Sequence, residues 1–204
     1  IIPLNITNNN HDPKAVKRTS CIYFAISNNS IDAVKLLLSN PNIDLNMRSI
    51  TRTSHIEYKE TPLFLAIKIK NIDIIKLLVS DPRVDINLES SGQLKDKKKK
   101  ESPLCTAIRN KNIEITKILL SCDKINVNAI SYIIDKKVND ELFNYSKSNA
   151  LSVAILKKQE EIIKLLLSHP NIDVNQQNYI CLQNDNQYKS PLYLAVEKED
   201  ENIV

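Results

Sequence analysis

The segment NIDIIKLLVSDPRVDIN, residues 71–87, has a close copy in EEIIKLLLSHPNIDVN, residues 160–175. In both, an acidic residue lies in the first turn of an apolar stretch of helical length, where the helix dipole favours a negative charge. A proline then follows, which cannot continue a helix because it lacks the backbone N–H. The segment therefore predicts a helix closed by a turn, and its recurrence predicts a repeat protein built from such units.

The same sequence pattern recurs five times. It becomes visible when the chain is aligned on one alanine in the seven-residue segment that begins each unit. Successive anchor alanines are 41 residues apart, except for 47 residues between the third and the fourth. The anchors are Ala25, Ala66, Ala107, Ala154 and Ala195, in SCIYFAI, TPLFLAI, SPLCTAI, NALSVAI and SPLYLAV. A constant period over the whole chain predicts one array and not several unrelated domains.

Each unit carries the start signals of two helices. Thr61 followed by Pro62 is a capping residue with proline at the first helical position, and Asn71 can cap the second helix. Ser30 and Asn112 occupy the place of Asn71 in other units, whereas Gln159 is a weak cap. The second helix is apolar nearly all round, so it must be covered by neighbouring units. The unit is thus two antiparallel helices that bury their apolar faces only by stacking.

The combination of T-P-L-x-x-A, I-I-K-L-L and D-V-N resembles the ankyrin-repeat family, whose usual unit has about 33 residues. The resemblance implies an all-α helical solenoid with short β-hairpin fingers between helix pairs. Two family positions differ here. The His after T-P-L is replaced by Tyr23, Phe64, Cys105, Ser152 and Tyr193, and the Gly between the helices by Asn29, Lys70, Lys111, Lys158 and Glu199.

The unit boundaries follow from the aligned frame. We expect a single array over residues 1–204, in which residues 1–19 are the tail and finger of a preceding repeat. The repeats themselves are 20–60, 61–101, 102–148 with the longest finger, 149–189, and a truncated fifth repeat at 190–204. The units exceed the family period by about eight residues, and most of the excess lies in the fingers.

No catalytic, cofactor or metal site is predicted. One glycine among 204 residues excludes a P-loop and a G-x-G-x-x-G loop. The four cysteines show no C-x-x-C and no ligand spacing to a histidine, and burial as small apolar groups is the favoured role of Cys105 and Cys122. Asp44, Asp85 and Asp173 are predicted to bond nearby backbone in turns.

The family resemblance implies a concave groove lined by the residues that follow T-P-L-x-x-A. These positions differ between units while the frame is constant, which is typical of a recognition surface. They include Ser27-Asn28 and Glu197-Lys198, and the candidate contacts among them are Lys68, Ile69, Arg109, Asn110, Leu156 and Lys157.

Aromatic residues concentrate in the fingers. Five of the seven tyrosines lie there, and Phe143 accompanies them in the longest finger. Exposed tyrosines are frequent in protein-recognition hot spots, while packing of one finger against the next is the alternative. The candidates are Tyr58, Tyr132, Phe143, Tyr145, Tyr179 and Tyr188.

The run KDKKKK, residues 95–100, is the most basic stretch of the chain. It could be a nuclear localisation signal or contact phosphates, and a solvated hairpin tip is the plainer interpretation. Lys97, Lys98, Lys99 and Lys100 are candidate contacts. The net charge of +4 is too small to imply a nucleic-acid partner by itself.

The sequence therefore predicts a non-catalytic scaffold that binds a partner protein through the groove and the fingers, without obligate oligomers, small-molecule substrate or membrane insertion. Two alternatives stay open: a substrate-recruiting segment of a larger enzyme, and a nucleic-acid contact through the Lys95–Lys100 finger. We expect an intracellular, cytoplasmic protein, with nuclear entry possible through the same run.

Overall fold

A computed structural model describes residues 4–5, 16–54, 56–94, 97–135, 144–182 and 185–197. Within them, helix pairs alternate with β-hairpins along the chain. The helices are α1 Cys21–Ser27, α2 Ile31–Leu38, α3 Pro62–Ile69, α4 Ile72–Val79, α5 Pro103–Arg109, α6 Ile113–Leu120, α7 Ala150–Leu156, α8 Glu160–Leu167 and α9 Pro191–Glu197. The strands are β1 Leu4–Asn5, β2 Val16–Thr19, β3 Ser49–Arg52, β4 Ile56–Glu60, β5 Ser90–Leu94, β6 Lys97–Glu101, β7 Ser131–Asp135, β8 Asn144–Ser148, β9 Asn178–Leu182 and β10 Asp185–Lys189.

The helices begin at the predicted capping residues. The Thr61 hydroxyl accepts the Phe64 N–H at 3.1 Å, and the Asn71 side chain accepts the Ile74 N–H at 2.9 Å. Gln159 makes no such cap; its amide instead donates to the carbonyl of Ile108 at 3.0 Å. The weak cap predicted at Gln159 is therefore confirmed, and its side chain links two neighbouring units instead.

The turn between the two helices has a left-handed residue in the four units whose turn the structure describes. Lys70 has φ 60°, its N–H donates to Ile67 O at 3.2 Å, and the Asn71 N–H donates to Ala66 O at 3.3 Å. This pair of bonds is the Schellman helix ending, which glycine fills most easily. Asn29, Lys111 and Lys158 have the same positive φ in the other units. The fold has thus kept the family's turn geometry without its glycine.

The helices stack in two layers that enclose the core. First helices contact first helices (α1, α3, α5, α7, α9) and second helices contact second helices (α2, α4, α6, α8). In α4, Ile74, Ile75 and Leu78 are fully buried while Asp73 and Lys76 remain exposed. Each such side chain contributes roughly 1.5–3 kcal/mol by leaving water, so the interfaces between units supply most of the stability.

The Asp-x-Asn tails hold the turns and join neighbouring units. The Asp85 carboxylate accepts the Asn87 N–H at 2.9 Å, and Asp44 and Asp173 act likewise on Asn46 and Asn175. The turn role predicted for these aspartates is confirmed. Asn87 also contacts the next unit. Its side-chain N–H donates to Lys124 O at 2.7 Å, and its side-chain oxygen accepts the Asn126 N–H at 2.8 Å.

Arg83 adds a second link between units. Its guanidinium donates to Leu38 O at 2.7 Å and Asn40 O at 2.8 Å, at the C-terminal end of α2. Two further bonds hold the Asp81 carboxylate, at 2.6 and 2.9 Å. The guanidinium therefore lowers the pKa of Asp81 below its usual value, and a positive charge at a helix C-terminus is itself stabilising.

Replacing Arg83 with asparagine, the residue at the same place in two other units, is expected to lower the urea midpoint of unfolding at pH 7, because the hydrogen bonds of the guanidinium and its charge at the end of α2 are lost. Because the pKa of Asp81 is lower in the folded state, its contribution is complete above the unfolded pKa of about 4 and is lost as the pH falls through the folded value. The difference between the two proteins in urea unfolding should therefore shrink between pH 5 and pH 2. A constant difference would show that the Asp81 pairing contributes nothing.

The strands form one continuous antiparallel sheet in chain order, β1 to β10. Each hairpin pairs internally and also with the hairpin of the next unit, as in Tyr58 opposite Gly92 across β4 and β5. Helices pack 8–10 Å apart, and a two-stranded hairpin is about 9.6 Å wide. Fingers from stacked units therefore meet edge to edge. The predicted helical solenoid is confirmed, but "all-α" is incomplete as a fold class because the fingers build a sheet.

Candidate binding groove and finger sheet

The groove is formed where the first-helix layer meets one face of the sheet. Glu60, the last residue of β4, accepts from Lys68 at the end of α3 at 2.7 Å. One unit further, Glu101 of β6 lies 2.9 Å from Arg109 of α5. In each case residues eight positions apart tie the sheet to the helix, so this corner of the groove is fixed by ion pairs.

The ion pair that joins strand and helix at this corner has its charges exchanged towards the C-terminal end. In the last described unit the strand supplies the cation and the helix the anion, with Lys189 and Glu197 2.5 Å apart. The Lys189 ammonium also lies 5.4 Å from the centre of the Tyr193 ring. In the unit between, the same two positions are Ser148 and Leu156. The charge pattern of the groove therefore changes along its length.

The six groove positions predicted from the resemblance lie together. They occupy the C-terminal ends of α3, α5 and α7 and the residues directly after them, and these helices stack side by side. Ile69 and Leu156 are 40% and 43% exposed; Lys68, Asn110 and Lys157 are exposed, and Arg109 is partly buried beside Glu101. Two accessible apolar side chains thus lie among cationic and polar ones.

The finger candidates do not form one surface, because alternate residues of a strand lie on opposite faces. Glu60 and Glu101 face the first helices, so residues an even number of positions from them share that groove face. Tyr58, Lys97 and Lys99 therefore lie on the groove face, and Lys99 is 3.1 Å from Glu101. The remaining candidates with described side chains lie on the opposite face, called here the outer face: Lys98, Lys100, Tyr132, Tyr179 and Tyr188.

Three tyrosines make contacts within the sheet. The ring of Tyr58 lies over Gly92 of the next finger, so closely that a methyl group on Gly92 would be 2.7 Å from two ring carbons. Tyr179 and Tyr188 meet edge to face across one hairpin, with their ring centres 5.0 Å apart. The chain's one glycine thus makes room for a tyrosine of the neighbouring finger. Tyr188 remains 70% exposed in spite of its contact.

Some of the candidates cannot be placed. Phe143, Lys95 and Glu199 lie outside the described residues, as does the side chain of Tyr145. The backbone of Tyr145 pairs with Ile134 and Cys181 in the sheet.

Tyr23 is a groove residue that the sequence did not single out for binding. Its hydroxyl donates to Glu60 at 2.9 Å, on the carboxylate that also accepts from Lys68. Burial and the negative charge of Glu60 raise the pKa of Tyr23 well above its usual value, so the phenol stays protonated and keeps its bond. In the sequence, Tyr23 could have been identified only from its position in the repeat, where it replaces the His that follows T-P-L in the family.

The thiols of Cys105 and Cys122 have the character of structural groups. Burial raises the pKa of Cys105 and of Cys122, and a neutral thiol is a poor nucleophile and metal ligand. Among the residues that the structure describes, no group of three or more His, Cys, Asp or Glu side chains could hold a metal ion. The same residues contain no helix that is long and apolar enough to cross a membrane.

The family model for ankyrin repeats (three copies) matches residues 2–90, 22–131 and 90–178. The chain belongs to the ankyrin-repeat family. Members of this family are generally protein-binding modules and not catalysts. No curated protein sequence matches the chain.

Solved structures support the same fold. The ankyrin repeat domain of Bcl-3, a member of the IkappaB family, has a TM-score of 0.56 and 19% identity, covering 91% of this chain and 69% of that one. The ankyrin repeat protein EF0377 has a TM-score of 0.55 and 19% identity, covering 90% and 94%. An ankyrin repeat domain from Acinetobacter baumannii AYE has a TM-score of 0.53 and 19% identity, covering 86% and 70%. At this identity the likeness concerns the fold alone.

Proposed function

We propose that this ankyrin-repeat chain is an intracellular, non-catalytic scaffold that binds a partner protein in the groove between its first helices and the finger sheet. The observation that carries the proposal is the pair of exposed apolar side chains, Ile69 and Leu156, set among Lys68, Arg109 and Lys157. Apolar anchors surrounded by polar residues are typical of the centre of a protein interface.

The scaffold is suited to rigid recognition. Ion pairs and the Tyr23–Glu60 hydrogen bond hold the corner, and the sheet joins all described fingers into one wall. A surface that is ordered before binding loses little conformational entropy on association. Tyr58, Lys97 and Lys99 on the groove face would contact the same partner as the helix ends.

The proposal is tested by placing a photo-crosslinking amino acid at position 69, 156 or 36 of the full chain. Leu36 is the matched control, because it is 74% exposed but lies on α2, in the second-helix layer. We expect one discrete polypeptide from a native lysate to be crosslinked at positions 69 and 156 and not at position 36.

The double variant Ile69→Asp, Leu156→Asp should reduce capture of that polypeptide at least ten-fold, since it places charge at the centre of the interface. Its circular dichroism should match the parent protein. Equal adducts at all three positions, or capture that survives both aspartates, would contradict binding in the groove.

A further inference from the structure

One row of the outer face carries a cation from every second strand. Pairing registers place the row's residues directly opposite one another across β2 to β10. In strand order they are Arg18, Ile50, Lys59, Ser91, Lys100, Tyr132, Lys147, Tyr179 and Tyr188. The basic members belong to β2, β4, β6 and β8, the second strand of four successive fingers. Each of these basic residues lies two positions before the residue that caps a first helix. Because they occupy the same position in successive repeats, the stacking of the repeats aligns them in one row.

The outer face has an excess of positive charge. The neighbouring row adds Arg52 and Lys98, and Glu57 and Glu89 form ion pairs with members of this face. Glu57 pairs with Arg52 at 2.8 Å and Lys59 at 2.9 Å, and Glu89 pairs with Lys100. The Lys59 and Lys100 side chains nonetheless stay 40% exposed, and Arg18 and Lys147 are exposed as well. Among the described side chains named here, cations therefore outnumber anions on this face, and the cations are accessible to an anionic partner.

The spacing of the row indicates the form of that partner. Cations two strands apart are about 9.6 Å apart along the array. An extended polypeptide in the polyproline II conformation advances about 9.3 Å in three residues, and its three residues per turn place every third side chain on the same side. A chain with a carboxylate at every third residue would therefore place one acid at each cation. The residues between these cations, Ile50, Ser91 and Tyr132, would face the intervening side chains.

We propose that the outer face of the finger sheet binds an extended acidic polypeptide segment laid across the strands, with Arg18, Lys59, Lys100 and Lys147 as its carboxylate contacts. Glu57 and Glu89 favour this partner over a nucleic acid, because a phosphate at every nucleotide would be repelled by them, whereas sparser carboxylates can be set between them. This surface is on the opposite side of the sheet from the groove and does not depend on the groove proposal.

The test uses two fluorescein-labelled 15-residue peptides of Glu, Pro and Ala, and fluorescence anisotropy at low and moderate salt. One peptide has glutamate at every third position, and the other has the same composition with its five glutamates contiguous. The protein variants are Lys59→Gln, Lys100→Gln, Lys147→Gln together, and Lys35→Gln, Lys76→Gln, Lys164→Gln together. The second triple removes the same charge from exposed lysines of the second helices.

We expect the periodic peptide to bind at least five-fold more tightly than the contiguous one. The outer-face triple should raise its Kd at least ten-fold and the helix triple less than two-fold, with equal urea midpoints for both. Equal weakening by the two triples, or no preference between peptides, would overturn the proposal. So would tighter binding of a 15-nucleotide oligothymidylate that the outer-face triple abolishes, which would identify a nucleic-acid surface.

Discussion

Replacing Asn46, Asn87 and Asn128 together with alanine is expected to lower the free energy of unfolding by about 4–6 kcal/mol. Each asparagine ends the tail of a unit, which is Asp-x-Asn for Asn46 and Asn87 and Asn-Val-Asn for Asn128, and each is half-buried. Each amide donates to a carbonyl of the following unit, at 2.7–2.8 Å, and each side-chain oxygen accepts an N–H of that unit, at 2.8–2.9 Å. Six hydrogen bonds of roughly 1 kcal/mol each are therefore lost, all between units.

The loss should also change how the chain unfolds. Stability in a stacked array is approximately the sum of the units and of their nearest-neighbour interfaces. Weakening three interfaces lets single units open alone, so the urea transition should become broader and its slope m smaller. Urea unfolding followed by circular dichroism measures both quantities.

Asn175→Ala is the matched control for the triple. Asn175 occupies the same place in its tail, and its backbone N–H bonds Asp173 at 2.9 Å. Among the described residues its exposed side chain bonds no following unit, so its replacement should cost less than about 0.5 kcal/mol. A triple variant that loses under 1 kcal/mol would show that these bonds only replace equivalent bonds to water.

The helices could be predicted from the sequence because their signals are local. Ser20, Thr61, Ser102, Asn149 and Ser190 each cap a first helix by accepting an N–H three residues on. The cap, the apolar spacing and the proline all lie within one unit, so no knowledge of the neighbouring units is needed. The same holds for the aspartates of the tails.

The continuous sheet could not be predicted in this way. Pairing of Tyr58 with Gly92 depends on how far apart the stacked units lie and in what register their fingers meet. These quantities are set by packing between units, and the sequence of one finger does not contain them. The place of Gly92 had no local explanation in the sequence; it is explained only once the Tyr58 ring is seen above it.

The candidate site was predicted in part. The positions on the helix ends came from the family frame, and the structure brings them together. The run from Lys97 to Lys100 reads as one basic patch in the sequence, but strand alternation divides it between two faces. The ion pairs of Glu60 and Glu101 were missed because their partners are eight residues away, across the turn from strand to helix. That spacing becomes a contact only when the strand direction is known.

Replacing Lys70, Lys111 and Lys158 together with glycine is expected to raise the free energy of unfolding by about 2 kcal/mol. All three have φ between 52° and 60°, a conformation that costs a residue with a side chain roughly 1–2 kcal/mol. Glycine removes this cost but adds about 0.5–1 kcal/mol of chain entropy in the unfolded state. The three side chains are exposed, so no core packing is lost. Thermal unfolding should shift upwards by about 4–8 °C in a chain of this size.

Two single replacements separate the backbone effect from the loss of a lysine. Asn29→Gly should not stabilise the protein, because asparagine already tolerates φ 55° better than lysine does, and because the replacement removes the bond that the Asn29 side-chain oxygen accepts from the Asn71 amide at 2.6 Å. Lys157→Gly alters the residue next to Lys158, where φ is −97°, and should lower stability slightly since no strain is relieved there. If Lys157→Gly stabilised the protein as much as Lys158→Gly, relief of charge repulsion, and not the left-handed turn, would be the cause. If the variant with all three glycines were less stable than the parent protein, lysine would be adopting the left-handed conformation in these turns without strain.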